Sequence, residues 1–318
     1  MDLALNRRAL AVADALASGA AEHRVSVARL DSGARVIDCG IAVEGGLETG
    51  RRLALACLAD IASVTFSDVD IGGLFLPAVT VATDHPVEAC LASQYAGWAI
   101  NPSGYFAMGS GPARALARVE RHLFEKIGYR ESASAAVLVL EGRTPPTDTV
   151  VAHVAGACGI EAGDLTILIA PTASVAGCVQ IAARSVETGL HKMVELGFDV
   201  RAVVSATGVC PLAPVAKNDL RGIGWTNDCV LYGSRAYYTV RAVDAELATL
   251  VDRLPSSASA DYGTPFAEIF KRAGNDFYKI DPHLFSPAEV TINNLGTGRV
   301  FRAGRTNPDV LRASLLGP

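Results

Sequence analysis

Between residues 149 and 207 helical and strand patterns alternate. TVVAHVAGACG has helical spacing, LTILIA is a short unbroken apolar run, 174–195 is helical again, and VRAVVSAT is strand-like. Each element can bury its apolar face only against the next, so the order predicts a layered βα-type unit. Upstream the chain reads as a helix, the strands RVSVARL and ARVIDCGIAV, and a helix over about 47–60. The strands SVTFSDV and LPAVTVAT, a short helix from Pro86 and the loop NPSGYFAMGSGP come next. A helix over about 112–127 closed by Gly128 and the strand SAAVLVL end this part. Downstream, CVLYGSRAYYTV reads as a strand and 244–253 as a helix.

The expected fold class is therefore α/β, a two-domain layered arrangement of mixed sheets and helices. In EGRTPPTD, residues 141–148, two prolines stop one element and Thr147 or Asp148 can cap another. We place the boundary there, with domains at 1–143 and 144–255. The Ser-, Pro-, Gly- and Asn-rich tail 256–318 is a candidate to return to the first domain.

Composition narrows the function. Of 318 residues, 50% are hydrophobic and 19% charged, enough for a large core. No window approaches eighteen unbroken apolar residues, which argues against a membrane span. MDLALNRRALAVADALASG resembles a signal peptide but is interrupted by Asn6, Arg7, Arg8 and Asp14, so it is expected to be an amphipathic helix. A net charge of -5 without charge blocks argues against a nucleic-acid partner. Seven scattered cysteines fit reduced thiols in cytoplasm, and without CxxC or HxxxH a metal site has no support. No GxGxxG follows a strand, which disfavours a dehydrogenase.

Three stretches can carry chemistry. In PTASVAGCVQIAARSVETGLHKM, Gln180, Arg184, Glu187 and His191 line one polar stripe beside an apolar stripe of Val179, Ala183, Val186, Leu190 and Met193. On spacing alone Arg184 and Glu187 read as an ordinary exposed i,i+3 ion pair. In AMGSGPARAL, Pro112 suits a first helical turn and Ser110 or Gly111 its cap. The backbone N–H groups there can meet an anion or a carbonyl oxygen, and the helix dipole disfavours Arg114 unless a ligand keeps it. In GWTNDCVLYGSRAYYTV, Asn227 and Asp228 read first as a turn. In DHPVEACLASQYAGW, polar groups beside Tyr95 and Trp98 can frame a flat ring or equally cap and pack. Cys178 and Cys210 have no obvious histidine partner and read as core thiols.

Four segments in this order, DHPVEACLASQYAGW, FAMGSGPARAL, APTASVAGCVQIAARSVE and GWTNDCVLYG, resemble the methenyltetrahydromethanopterin cyclohydrolase family. The resemblance implies hydrolysis of the cyclic methenyl group of a reduced pterin to the N5-formyl compound. It also implies a pocket between two α/β domains, no metal or other cofactor, and a homo-oligomer. The family's catalytic glutamate and arginine on an R-x-x-E helix fall on Glu187 and Arg184, which replaces the surface ion-pair reading. Glu187 is then the expected general base, and Arg184 either orients it or holds the developing formyl oxygen. Ser110, Gly111, Arg114, Tyr95, Asn227 and Asp228 are the expected pterin contacts.

Two other functions are weighed beside this one: another one-carbon pterin reaction such as formyl transfer, and a non-catalytic pterin binder. Abundant alanine, and arginine over lysine, suit formaldehyde oxidation in a methylotrophic bacterium.

Overall fold

The structure, a computed structural model, describes residues 3–317. In chain order its elements are α1 (Leu5–Ser18), β1 (Ser26–Arg29), β2 (Arg35–Asp38), α2 (Leu47–Cys57), β3 (Ser63–Ile71), β4 (Leu74–Thr83), β5 (Trp98–Ile100) and β6 (Ala107–Ser110). They continue as α3 (Ala113–Ala117), α4 (Arg121–Ile127), β7 (Ala136–Glu141), α5 (Asp148–Cys158), β8 (Leu165–Ala170), α6 (Val175–Ala182) and α7 (Ser185–Glu195). The remainder is β9 (Val203–Pro211), α8 (Asp219–Asp228), β10 (Arg235–Val240), α9 (Asp244–Arg253), α10 (Phe266–Arg272), β11 (Glu289–Asn294), β12 (Val300–Gly304) and α11 (Pro308–Leu316). Two segments, Val87–Gln94 and Cys229–Gly233, wind as π-helix.

The chain forms two compact units. One holds the described residues up to Ala62 with Glu88–Gln180, the other Ser63–Val87 with the described residues from Ile181 onward. This corrects the expected boundary at 143/144. β7 and β8 are parallel neighbours, so α5 is the crossover that joins them and belongs with both. It also corrects the placement of the tail, because β11 pairs in parallel with β10 and β12 pairs with β11 inside the second unit.

The first unit has a six-stranded sheet in the order β1-β2-β8-β7-β6-β5. β2, β8 and β7 run parallel, and the outer pairs are antiparallel. Both faces are buried. Val137 and Val139 of β7 join a core built with α1 and α2, while Ala136, Leu138 and Leu140 join one built with α5. Burial on both sides explains why these strands read as unbroken apolar runs rather than alternating ones.

The second unit carries a mixed sheet in the order β12-β11-β10-β9-β4-β3, in which only β10 and β11 run parallel. α7 lies close against β9 and β10. A Cβ on Gly189 would stand 2.1 Å from the Tyr238 hydroxyl, and one on Gly208 would stand 2.5 Å from Ser185 Oγ. The Tyr238 hydroxyl donates to the Val186 carbonyl at 2.9 Å. The two glycines therefore set how near the helix sits to the sheet, and with it where Glu187 lies.

Several expected elements divide. The 112–127 helix breaks at Arg118, which takes left-handed backbone angles (φ 47°, ψ 43°) without a glycine. Gly128 closes α4 in left-handed conformation, as the sequence indicated. The 174–195 helix breaks at Ala183–Arg184 into α6 and α7. CVLYG, read as strand, is π-helical, and the strand begins only at Arg235.

Candidate active site

The segment after β8 turns sharply into α6. Ser174 Oγ donates to the Pro171 carbonyl at 2.7 Å and accepts from the Gly177 N–H at 3.0 Å. A Cβ on Gly177 would meet the Pro171 oxygen at 2.0 Å, so this turn requires glycine. Seven residues on, the Arg184 N–H bonds back to the Ile181 carbonyl at 3.0 Å and the Thr188 N–H to the Arg184 carbonyl at 3.0 Å. Arg184 thus occupies the position immediately before α7, and Glu187 lies in the first turn. There the helix dipole favours a negative charge.

Arg184 Nη1 and Glu187 Oε2 are 3.4 Å apart, and their side chains are 10% and 5% exposed. This is not the exposed pair that spacing alone suggests. A buried carboxylate needs a compensating charge, and Arg184 supplies it. Val186, Leu190 and Met193 are fully buried, so the apolar stripe faces the core. His191 Nε2 approaches Glu195 Oε1 at 3.7 Å. A buried, paired carboxylate at a helix N-terminus can hold an ionised form, take a proton from water and return it.

In the first unit, Tyr95, Ser110, Gly111 and Arg114 gather at the end of the π-helical segment. Ser110 Oγ donates to the Gln94 carbonyl at 2.5 Å, and the Gly111 N–H donates to the Ser93 carbonyl at 2.9 Å. Arg114 Nη1 donates to the carbonyls of Leu91 and Ser93 at 3.1 and 3.0 Å. Its Nε bonds Glu120 Oε1 at 2.8 Å, and the guanidinium lies 5.1 Å from the Tyr95 ring centre and 5.6 Å from that of Phe124. Arg114 is fully buried. Arg114 Nη1 thus satisfies carbonyls that a π-helix leaves at its end, while the buried Nη2 has no hydrogen-bond partner among the described residues. The expected anion site at the following helix is corrected. Pro112 takes the cap position of α3, and the Gly111 N–H points to Ser93 rather than outward.

Asn227 and Asp228 close α8 rather than form a turn before a strand. Asn227 Nδ2 donates to the Ile223 carbonyl at 2.8 Å. Asp228 is fully buried, with Oδ1 accepting from the Phe266 N–H at 2.8 Å and Oδ2 from Ser314 Oγ at 2.5 Å. Burial pushes its carboxyl up from 3.8 to about 7. It fastens α10 and α11 to α8.

Two polar groups escaped the sequence reading. Glu141 ends β7 at the carboxyl edge of the parallel strands. Its Oε1 accepts from Thr172 Oγ1 at 2.5 Å and its Oε2 from Gln180 Nε2 at 3.3 Å. Carboxyl edges of parallel strands are where α/β sheets hold ligands. The signal was a charged residue closing an apolar strand. Lys192 was also passed over; fully buried, its ammonium donates to the Pro255 carbonyl at 2.8 Å, and burial lowers it from 10.5 to about 8. Burial raises Cys178 to about 12 and also pushes Cys210 up, in keeping with core thiols. Among the described residues no three His, Cys, Asp or Glu side chains cluster as metal ligands, and no helix is long and apolar enough to cross a membrane.

The sequence model of the family described as Cyclohydrolase (MCH) matches residues 4–315. The chain is 45% identical over 313 residues, 98% of each chain, to the methenyltetrahydromethanopterin cyclohydrolase of Methanococcoides burtonii. It is 44% identical over 317 residues, again 98% of each chain, to that of Methanocaldococcus jannaschii. To that of Methanosarcina barkeri it is 48% identical over 294 residues, 92% of this chain and 91% of the relative.

Proposed function

Because the chain belongs to the cyclohydrolase family, we propose that it hydrolyses N5,N10-methenyltetrahydromethanopterin to the N5-formyl compound with Glu187 as general base and Arg184 as its partner. The observation that carries this reading is the buried Arg184–Glu187 pair at the head of α7.

The methenyl carbon lies between two nitrogens of an amidinium cation and is already electrophilic. No Lewis acid is needed to polarise it, so the proposal involves no metal and no cofactor. Glu187 takes a proton from water as the oxygen adds to that carbon. Glu187 returns that proton to N10, which leaves with its bonding pair as the hydroxyl of the tetrahedral adduct gives its own proton to solvent and becomes the formyl oxygen. General-base assistance of this kind contributes about 10² to 10⁴ in rate. The carboxylate also attracts the cationic ground state, so it accelerates the step only if held in place. The close packing of α7 on β10 and the guanidinium of Arg184 support that. Arg184 balances the buried charge and can donate to the oxygen that becomes the formyl group.

Ser110, Gly111 and Tyr95 are proposed pterin contacts on the strength of the family motif. Asn227 is another: it is half-buried, and its carboxamide oxygen can accept from an amino group of the ring. The family also supports a homo-oligomeric enzyme, and the scattered cysteines support a cytoplasmic one. The three relatives come from Methanococcoides, Methanocaldococcus and Methanosarcina. The arginine-rich, lysine-poor composition instead favours a role in formaldehyde oxidation in a methylotrophic bacterium.

The test follows the ultraviolet absorbance of the methenyl cation with purified protein, the tetrahydromethanopterin and tetrahydrofolate derivatives side by side. Catalytic disappearance with formation of the N5-formyl product supports the proposal. A stoichiometric shift without turnover would identify a binder, and turnover only with a formyl acceptor a transferase.

A further inference from the structure

The break at Arg118 has a chemical outcome apart from the Arg184–Glu187 pair. With α3 ending at Ala117 and α4 starting at Arg121, a hollow of about 290 Å³ opens beside the turn, lined by Ala117, Arg118, Arg121, Phe124, Glu125, Tyr129 and Arg130. Phe124 and Tyr129 are buried, at 5% and 8% exposure, and form its apolar base. The Arg114 guanidinium packs over the Phe124 ring, which fixes that base from behind. Arg118, Arg121 and Arg130 are exposed. None of the three makes an ion pair or a side-chain hydrogen bond among the described residues.

Elsewhere Arg24, Arg35, Arg51, Arg52, Arg201, Arg299 and Arg302 each face a carboxylate. Here three cations converge on one concavity with Glu125 as the only acidic residue in its lining. The lining keeps two positive charges in excess. Like charges brought together disfavour the unliganded arrangement, and an anion among them removes the repulsion. Guanidinium groups present paired N–H donors that match phosphate and carboxylate oxygens.

Size and shape select the ligand class. The volume sits at the lower end of the roughly 300–1,000 Å³ range of small-molecule sites. Beside the three cations the lining includes Phe124 and Tyr129, whose edges an organic skeleton can contact. We propose that this hollow binds a small organic polyanion, two or more of whose phosphoryl or carboxylate groups pair with Arg118, Arg121 and Arg130 while its carbon skeleton lies on Phe124 and Tyr129. The site is separate from the proposed chemistry, since none of its residues is assigned a part in methenyl hydrolysis.

The test uses the protein titrated calorimetrically with fructose 1,6-bisphosphate and, in a second arm, with citrate, at ionic strength held constant with sodium chloride. The two arms distinguish a phosphoryl from a carboxylate ligand. We expect saturable one-to-one binding of at least one probe. Loss of a charge-assisted contact weakens affinity by on the order of 10-fold or more, so Arg118→Gln and Arg130→Gln should each show that loss. The double variant Arg118→Gln/Arg121→Gln should bind neither probe. Melting curves and cyclohydrolase turnover of the variants without probe should match wild type. Equal binding by wild type and variants would overturn the proposal, as would no saturable heat with either probe or heat that sodium chloride alone reproduces.

Discussion

Arg184 Nη1 stands 3.4 Å from Glu187 Oε2, with both side chains almost wholly buried. The separation exceeds the ~2.7–2.9 Å of an ideal charge-assisted bond. Glu187→Gln keeps the shape of the side chain and removes its basicity. We expect kcat to fall by about 10² or more, the lower range for a lost general base. KM should change modestly, reporting only the lost attraction for the methenyl cation. Steady-state kinetics at saturating substrate near neutral pH decide the matter. A variant that keeps most of its kcat would show that water is activated by some other group.

Arg184→Ala should also slow turnover, since it removes the guanidinium that stands beside the buried Glu187 carboxylate. If the pair works as a unit, Arg184→Ala/Glu187→Gln will be little slower than the worse single variant. The readout is the coupling energy of the kinetic double-mutant cycle. Two effects that simply multiply would mean that the residues act independently.

The sequence revealed the strands that are buried on both faces, because SAAVLVL and LTILIA have no polar interruption, and it placed α9 at its observed limits. The breaks at Arg118 and at Ala183–Arg184 carry no glycine or proline, so nothing local announces them. The unit boundary was hidden for a different reason. It depends on the β3–β4 hairpin pairing with β9, more than a hundred residues later, and on β11 joining β10. At the site, spacing showed Arg184 and Glu187 as a pair but suggested an exposed one, and only the family motif pointed beyond that reading. The internal partners of Arg114 and Asp228 were not legible, because a polar residue in a motif looks the same in sequence whether it faces a ligand or a group of the chain itself. Glu141 was missed because its partners Thr172 and Gln180 lie 31 and 39 residues away.

Gly189→Ala tests whether the close seating of α7 holds the base in place. The new methyl would sit 2.1 Å from the Tyr238 hydroxyl, so helix or ring has to move. Overpacking of this kind costs about 1–3 kcal/mol. We expect a melting temperature lower by several degrees and a reduced kcat, because the moving helix carries Glu187. Tyr238→Phe removes the oxygen that collides, at the cost of its bond to Val186. Combined, the two substitutions should cost less stability than the sum of the singles. Strict additivity in the thermal melts would place the strain elsewhere.

Asp228 gives a prediction about pH. Burial raises its carboxyl from 3.8 to about 7 in the folded chain. Below about pH 4 both folded and unfolded forms carry the proton, and the group contributes no pH dependence. As pH rises from about 4 to 7 the unfolded chain releases the proton while the folded chain retains it. The unfolded state then binds fewer protons, so stability falls across this window and levels off above it. Asp228→Asn cannot ionise, and its carboxamide can still accept from the Phe266 N–H and donate to Ser314 Oγ. We therefore expect the urea midpoint of the variant to gain on that of wild type between pH 4 and 7, with the difference constant above about pH 8. Taking the difference between the chains cancels the other titrating groups they share. A difference that stays flat from pH 4 to 8 would show that Asp228 ionises in the folded protein as it does in the unfolded one, and that its bonds to Phe266 and Ser314 offset the burial of its charge.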